Sequence, residues 1–279
     1  MNHKIGIISD IHGNFTALKA VIEDAKKSGV TEYWLLGDIV LPGPGANELF
    51  DYLSTLPITV KVRGNWDDCF LEAIGKENSL ETPSDVYITR LSQYLKENLD
   101  EKYIDELKST PLYIEKEVNG IEILISHNLP NQNWGRGLLA TNSTEDFDML
   151  FTDSDYDMAI YGHIHTQLIR YSSKMQIILN PGTVGQPFSM WKKFENDLRA
   201  QYAILEFDDF GLGNIQLKKV LFDIEEELEL AKKENLPYLD LYEEQLKTGV
   251  VHTHDEELLE KINIKNGYLA DVKEYFRFQ

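Results

Sequence analysis

The chain has 279 residues, 42% of them hydrophobic and 27% charged, with a formal net charge of −20 and a single cysteine, Cys69. A field of that sign repels phosphate backbones and anionic bilayers, so stable nucleic-acid or membrane binding is not expected. One cysteine permits no internal disulfide, and neither a span of ~18–20 apolar residues nor a signal-peptide h-region stands out; the expectation is a cytoplasmic protein.

Lys4–Ser9 is a short apolar run that predicts a buried strand. It stops at Asp10, Ile11, His12, Gly13 and Asn14, where a carboxylate and an imidazole close the run. Phe15, Leu18, Val21, Ile22 and Ala25 then recur at helical spacing and predict a helix that closes near Gly29. Tyr33–Leu36 is a second buried strand, ending at Gly37-Asp38. A helix is expected over 47–56, and a third strand over Ile58–Val62, ending at Arg63-Gly64-Asn65. Strand, helix and strand in alternation predict parallel β-α-β units.

Residues 84–108 read as helical. Leu112–Val118 and Ile121–Ser126 form a hairpin about Asn119-Gly120. Met158–Tyr161, Gln167–Tyr171 and Gln176–Leu179 are short strands, followed by Tyr202–Phe207 and Ile215–Val220, so the second half reads as antiparallel or mixed. From Asp223 onward the texture becomes charged and helical, with a break near Pro237 and a Thr253/Glu256 capping box for one more helix. This tail holds fifteen acidic and seven basic residues, a net charge of −8. The expected division is therefore a main domain over 1–222, which would hold any catalytic site, and an acidic helical extension over 223–279.

The chemistry-bearing residues share one placement, just after a buried strand. They are Asp10 and His12, Asp38, Asn65, His127, and the pair His163 and His165. Ligands of open α/β sheets bind outside the carboxyl ends of the strands, so these residues are expected to converge. One metal takes four to six ligands; seven side chains suit two metals sharing a bridging carboxylate. Imidazole, carboxylate and amide donors together favour Mn, Fe, Zn or Ni over Ca.

In order, these motifs are "DIH" at Asp10, "GD" at Gly37, "GNWD" at Gly64, "SH" at Ser126 and "GHIH" at Gly162. Together with "LNPGTVGQP" at Leu179, the set resembles the calcineurin-like metallophosphoesterases, especially the small bacterial and archaeal phosphodiesterase branch, over residues 4 to about 220. The resemblance implies a four-layer αββα fold, a β-sandwich of two mixed sheets flanked by helices. It implies that Asp10, His12, Asp38 and His165 hold one metal, and that Asp38 bridges to a second completed by Asn65, His127 and His163. It also implies hydrolysis by a metal-bridging hydroxide, with Asp38, Asn65 and His127 in the catalytic machinery.

One position departs from the family pattern. Many members carry a histidine after the G-N pair that can protonate the leaving oxygen; here Trp66 stands in that place. Losing a general acid costs ~10²–10⁴-fold when the leaving group is poor and less when it is already a stable anion. The expected substrates are therefore phosphodiesters or phosphoanhydrides of small nucleotides, with diadenosine tetraphosphate as the candidate. The alternatives are a protein or small-molecule phosphomonoesterase, and a non-catalytic scaffold on the same fold.

Arg63, Trp66 and Arg136 are candidate substrate contacts, through a guanidinium fork on phosphate or a ring on a base. Surface pairing or packing is the plainer reading for each, as it is for Trp134. Asp67 and Asp68 are expected to bond nearby backbone amides. Gly182 and Gly185 are expected to serve backbone geometry. His252 and His254 in the tail read as solvated side chains, and the acidic runs as solvated helix faces. The expected partner is a small phosphorylated substrate, with a homo-oligomer contact left open.

Overall fold

In the computed structural model, residues 3–75, 80–152 and 154–277 are described. The first half runs β1 (His3–Ile8), α1 (Phe15–Lys27), β2 (Glu32–Leu35), α2 (Asn47–Ser54), β3 (Ile58–Lys61), α3 (Asn65–Ala73), α4 (Pro83–Asn98) and α5 (Glu101–Ser109). The second runs β4 (Tyr113–Val118), β5 (Ile121–Ser126), α6 (Thr144–Asp148), β6 (Met158–Tyr161), β7 (Leu168–Tyr171), β8 (Ile177–Asn180), β9 (Ala200–Asp208) and β10 (Gly211–Val220). Four helices close the chain: α7 (Ile224–Lys233), α8 (Leu239–Thr248), α9 (Glu256–Asn266) and α10 (Tyr268–Arg277). Among the described residues, no helix is long and apolar enough to cross a membrane.

The strands form two mixed five-stranded sheets, ordered β10-β9-β1-β2-β3 and β4-β5-β6-β8-β7. β1, β2 and β3 are parallel in the first, and β5, β6 and β8 in the second. Alternation along the strands sends side chains to opposite faces. Ile5, Ile7, Trp34, Leu36 and Val60 from one sheet meet Ile123, Ile125, Met158, Ile160 and Leu179 from the other. The outer face of the first sheet packs Ile8, Tyr33, Leu35 and Ile204 against the helices. Leu124, Ala159, Tyr161 and Ile178 of the second pack against Phe147 and Leu150. This is the β-sandwich flanked by helices, with all six parallel strands delivering their carboxyl ends to one edge of the sandwich.

The structure refines several expectations. The helix over 84–108 is two helices, α4 opened by a Thr82/Asp85 capping box with Pro83 at its first position, and α5 beyond an extended Leu99. The tail ends in two helices, separated by left-handed Gly267. Asp255, whose side chain accepts from Leu258 N, caps α9 in place of Thr253. α3, which the sequence reading did not include, begins at Asn65, so this candidate ligand is the first residue of a helix. The helices after Asp223 share the core of the first sheet: Leu228, Ala231, Tyr238, Tyr242, Leu246 and Leu259 are buried in it.

Candidate metal centre

Six of the seven sequence-selected residues fall into two groups, Asp10, His12 and His165, and Asp38, His127 and His163. Within each group, donor atoms lie within 4.8 Å of one another. Asp38 Oδ2 stands between the groups, 3.7 Å from His12 Nε2 and 3.4 Å from His127 Nε2. The seventh, Asn65, places its Oδ1 3.1 Å from His127 Nε2. Asp10, His12, Asp38 and His127 are at most 1% exposed.

Each imidazole has its orientation fixed by a main-chain carbonyl. His12 Nδ1 donates to Leu41 O (2.7 Å), His127 Nδ1 to Leu36 O (2.5 Å) and His165 Nδ1 to Gln186 O (2.9 Å). A carbonyl can only accept, so the Nε2 lone pair of each ring is left for the centre. His163 is reversed: its Nε2 donates to Gly135 O at 3.0 Å, leaving Nδ1 as the available donor atom. Lone pairs consequently face one another, His12 Nε2 against His165 Nε2 at 3.1 Å and His127 Nε2 against Asn65 Oδ1 at 3.1 Å. Such pairs repel unless a proton or a cation lies between them. Asp10 Oδ1 is buried and accepts no hydrogen bond, although His165 Nε2 lies 3.1 Å away. An orphaned carboxylate oxygen amid inward-facing imidazoles is a donor set that fits divalent cations.

Burial and the neighbouring charges pull the groups of this cluster in different directions. Burial depresses His12 and His163 to about 4 despite the nearby carboxylates. At His127 burial also opposes the charge, but Asp38 and Asp10 outweigh it and raise the ring to about 10. Asp10 and Asp38 are held below the usual carboxylate range; burial works against this, and the surrounding imidazoles prevail. Metal binding would replace protons in this cluster.

Backbone strain marks the same residues. Asp10, His12, Asp38, His163 and His165 have φ between 51° and 64°, a left-handed conformation costing roughly 1–2 kcal/mol each without glycine. Such outliers persist only where surrounding structure over-determines them. The two ligand loops of the first sheet are stitched by His12 N to Asp38 O and Gly13 N to Ile39 O, both 2.9 Å. Glycines allow the close approach: a Cβ on Gly64 would lie 2.1 Å from Asp38 Oδ1, and one on Gly162 2.0 Å from Ser9 Oγ. The "NPGTVGQP" segment then locks the Asp10 turn, with Val184 N on Ser9 O, Gly185 N on Asp10 O and Thr183 Oγ1 on Asp10 O.

The first turn of α3 supports the second group. Asp67 is fully buried and accepts from the amides of Asp38 (3.0 Å), Ile39 (3.0 Å), Val40 (3.4 Å) and Gly64 (2.9 Å). Burial, with Asp38 beside it, nevertheless pushes Asp67 up to about 7. Asp68 is held by Arg63 Nε at 2.6 Å and Asn133 Nδ2 at 2.6 Å, so its partners are side chains, not the expected backbone amides. Trp66 N donates to Asp38 Oδ1 at 2.7 Å, and its half-buried ring meets His12 edge-on at 5.9 Å.

Among the candidate substrate contacts, Trp66 is the one beside the ligands. Arg63 is engaged structurally, donating to Lys108 O and Thr110 O besides pairing with Asp68. Arg136 is exposed on the loop after β5, next to Gly135 whose carbonyl orients His163. Trp134 on that loop is 62% exposed, so it is a rim residue and not a core one. His252 in the tail is not merely solvated: it pairs with Glu244 (3.1 Å) and Asp255 (3.4 Å), while His254 is exposed. Sequence reasoning missed Phe188, whose ring lies 5.6 Å from that of His165, and Glu227, a fully buried carboxylate inside an acidic run. The only signal for Phe188 was its place right after the glycine loop.

A family model described as the calcineurin-like phosphoesterase superfamily domain matches residues 3–209. An uncharacterized protein of Methanocaldococcus jannaschii is 30% identical over 256 residues, covering 84% of this chain and 93% of the relative. A symmetrical bis(5'-nucleosyl)-tetraphosphatase of Buchnera aphidicola is 29% identical over 110 residues, 39% of this chain and 34% of that protein. The crystal structure of a metallophosphoesterase from Sphaerobacter thermophilus superposes with a TM-score of 0.66 at 26% identity, over 88% of this chain and 100% of that one. A hypothetical protein of Pyrococcus horikoshii shares the fold, with a TM-score of 0.70 at 20% identity over 89% of this chain and 99% of that one.

Proposed function

The chain belongs to the calcineurin-like phosphoesterase superfamily, and from that premise we propose a dinuclear, metal-dependent phosphohydrolase that cleaves phosphodiester or phosphoanhydride bonds of small nucleotides. The observation that carries the reading is the set of four imidazoles, each pinned by a carbonyl and aimed at the orphaned Asp10 and the intermediate Asp38. Asp10, His12 and His165 would hold one cation, and His127, His163 and Asn65 the other, with Asp38 shared. Mn, Fe, Zn and Ni are the ions suited to these donors. When bound, two such cations supply the attacking hydroxide and offset the charge that develops on phosphoryl oxygens.

The protein's own groups narrow the substrate. Asn65 Oδ1 lies against His127 Nε2 of the second group, and the role assigned to its amide nitrogen is to bond a phosphoryl oxygen. The first turn of α3 offers no side chain set up to protonate a leaving oxygen: Trp66 replaces histidine, Asp67 is occupied by four amides, and Asp68 is clamped by Arg63 and Asn133. Leaving groups that depart as stable anions suit such a site, which favours a nucleotide phosphate over an alkyl alcohol. Trp66 beside His12 and Phe188 beside His165 are aromatic rings next to the first group, of the kind a base stacks on. Diadenosine tetraphosphate is the candidate substrate, and the partial match to a symmetrical bis(5'-nucleosyl)-tetraphosphatase supports this class.

The test is a panel of dinucleoside polyphosphates, bis-p-nitrophenyl phosphate and alkyl monoesters, assayed with Mn and with chelator, followed by product analysis. Mn-dependent cleavage of the polyphosphates or activated diesters is expected. Dominant turnover of alkyl monoesters overturns the substrate assignment, and no metal-dependent turnover of any kind favours a scaffold on this fold.

A further inference from the structure

The family match ends at residue 209, yet the helices beyond it reach the segments that hold the first group. Gln186 is the pivot at His165: its carbonyl accepts a hydrogen bond from His165 Nδ1, and its side-chain Nε2 donates to Gln245 Oε1 of α8 at 3.2 Å. Gln186 and Gln245 are 5% and 6% exposed. Gly249, which ends α8, lies against the same segment, close to Pro187 O and Phe188 Cβ.

A second route runs to His12. Glu227 of α7 accepts from Thr16 N (2.9 Å) in the first turn of α1, directly after the Asp10–Asn14 turn. Its other oxygen accepts from the Tyr242 hydroxyl of α8 at 3.0 Å. That hydroxyl fills the space beside Gly43, where a Cβ would lie 2.8 Å from it. Gly43 N in turn donates to His12 O (2.9 Å), and Leu41 O orients the His12 ring. A buried carboxylate at a helix start, and a glutamine locked to a glutamine, are costly to bury for packing alone.

We propose that α7 and α8 are a positioning element for the first ligand group, Gln245 acting through Gln186 on His165, and Tyr242 with Glu227 acting through the 12–16 and 41–43 turns on His12. The inference rests on the reading of these side chains as metal ligands. Groups that orient metal ligands from behind typically change metal affinity by ~10–100-fold when removed. The second group, by contrast, is braced by α3 and the loop after β5.

The test uses the full chain and Mn titration by calorimetry, with Mn electron paramagnetic resonance to separate paired from single ions and thermal melting to read stability. Gln245→Leu is expected to weaken one of two Mn sites ~10-fold, to leave the other unchanged, and to lower the paired-ion signal. Gln245→Glu, which keeps an accepting oxygen, is expected to restore the site. Tyr242→Phe, which deletes one hydroxyl, is expected to weaken the same site by a few-fold and serves where Gln245→Leu does not fold. Two unchanged Mn sites in Gln245→Leu and Tyr242→Phe, with only a lower melting temperature, overturn the positioning role and leave the metal reading intact. A wild-type chain that takes up no Mn overturns both.

Discussion

The two candidate ligand groups lie side by side but are held by different segments of the chain. The group of Asp10, His12 and His165 is backed by the glycine loop after β8 and, behind it, by Gln245, Tyr242 and Glu227. The group of Asp38, His127 and His163 is backed by Asp67, Trp66 and the carbonyls of Leu36 and Gly135. One brace lies partly beyond the matched family segment and the other wholly within it. Residues of the matched segment can thus be supported in part by helices that lie beyond it.

The most damaging way to break this comparison is Asp38→Ala. Because Asp38 lies between the groups, both Mn sites should weaken and turnover should fall by at least ~10²–10³-fold, read by metal content and steady-state kinetics. Loss of one ion with the other untouched would show that Asp38 is not shared. Next in size is Asp67→Ala, which leaves four buried amides without their acceptor. We expect a loss of about 2–4 kcal/mol in denaturant unfolding, and weakening of the Asp38 side of the centre before the His165 side.

Arg63→Ala sharpens the comparison further. With Arg63 bound to Asp68, Lys108 O and Thr110 O, the change should cost about 1–2 kcal/mol of stability and leave KM for the proposed nucleotide substrate within ~2-fold. A KM rise of ~10-fold with an unchanged melting curve would instead return Arg63 to the substrate. The smallest effect is expected at Asp197, beyond both braces. Its bonds to Arg199, and less so to Lys219, hold its carboxyl well below the usual range. A depressed carboxylate contributes stability above its unfolded pKa near 3.8 that is lost as pH falls through the folded value. Asp197→Asn should therefore lower stability at pH 7 by at most ~1 kcal/mol, with the difference fading in acid unfolding below pH 4.

Much of this was legible in the sequence for a physical reason: buried strands need apolar runs, and a polar ligand right after such a run is conspicuous. The ten strands fall within a few residues of their expected places, and the six residues of the two groups, with Asn65, converge as the strand ends imply. What was not legible depends on contacts distant in sequence. The left-handed backbone of Asp10 or His165 has no compositional sign, since neither is glycine. α3 was hidden because Gly64-Asn65 reads equally as a turn, and only Asp67 folding back onto Gly64 N starts the helix there. Glu227 sits among Glu225, Glu226 and Glu229, and nothing local tells the buried carboxylate from its solvated neighbours.

The twisted turns that carry Asp10, His12, Asp38, His163 and His165 have a consequence beyond coordination. Their amides are secured by a few cross-loop bonds, among them His12 N to Asp38 O and Gly162 N to His127 O. Loops held in a high-energy backbone open more readily when their ligands are unloaded, and loading closes them. Deuterium uptake at His12, Gly13 and Gly162 therefore doubles as an occupancy gauge, able to report which ion is seated in a sample that has never met a substrate.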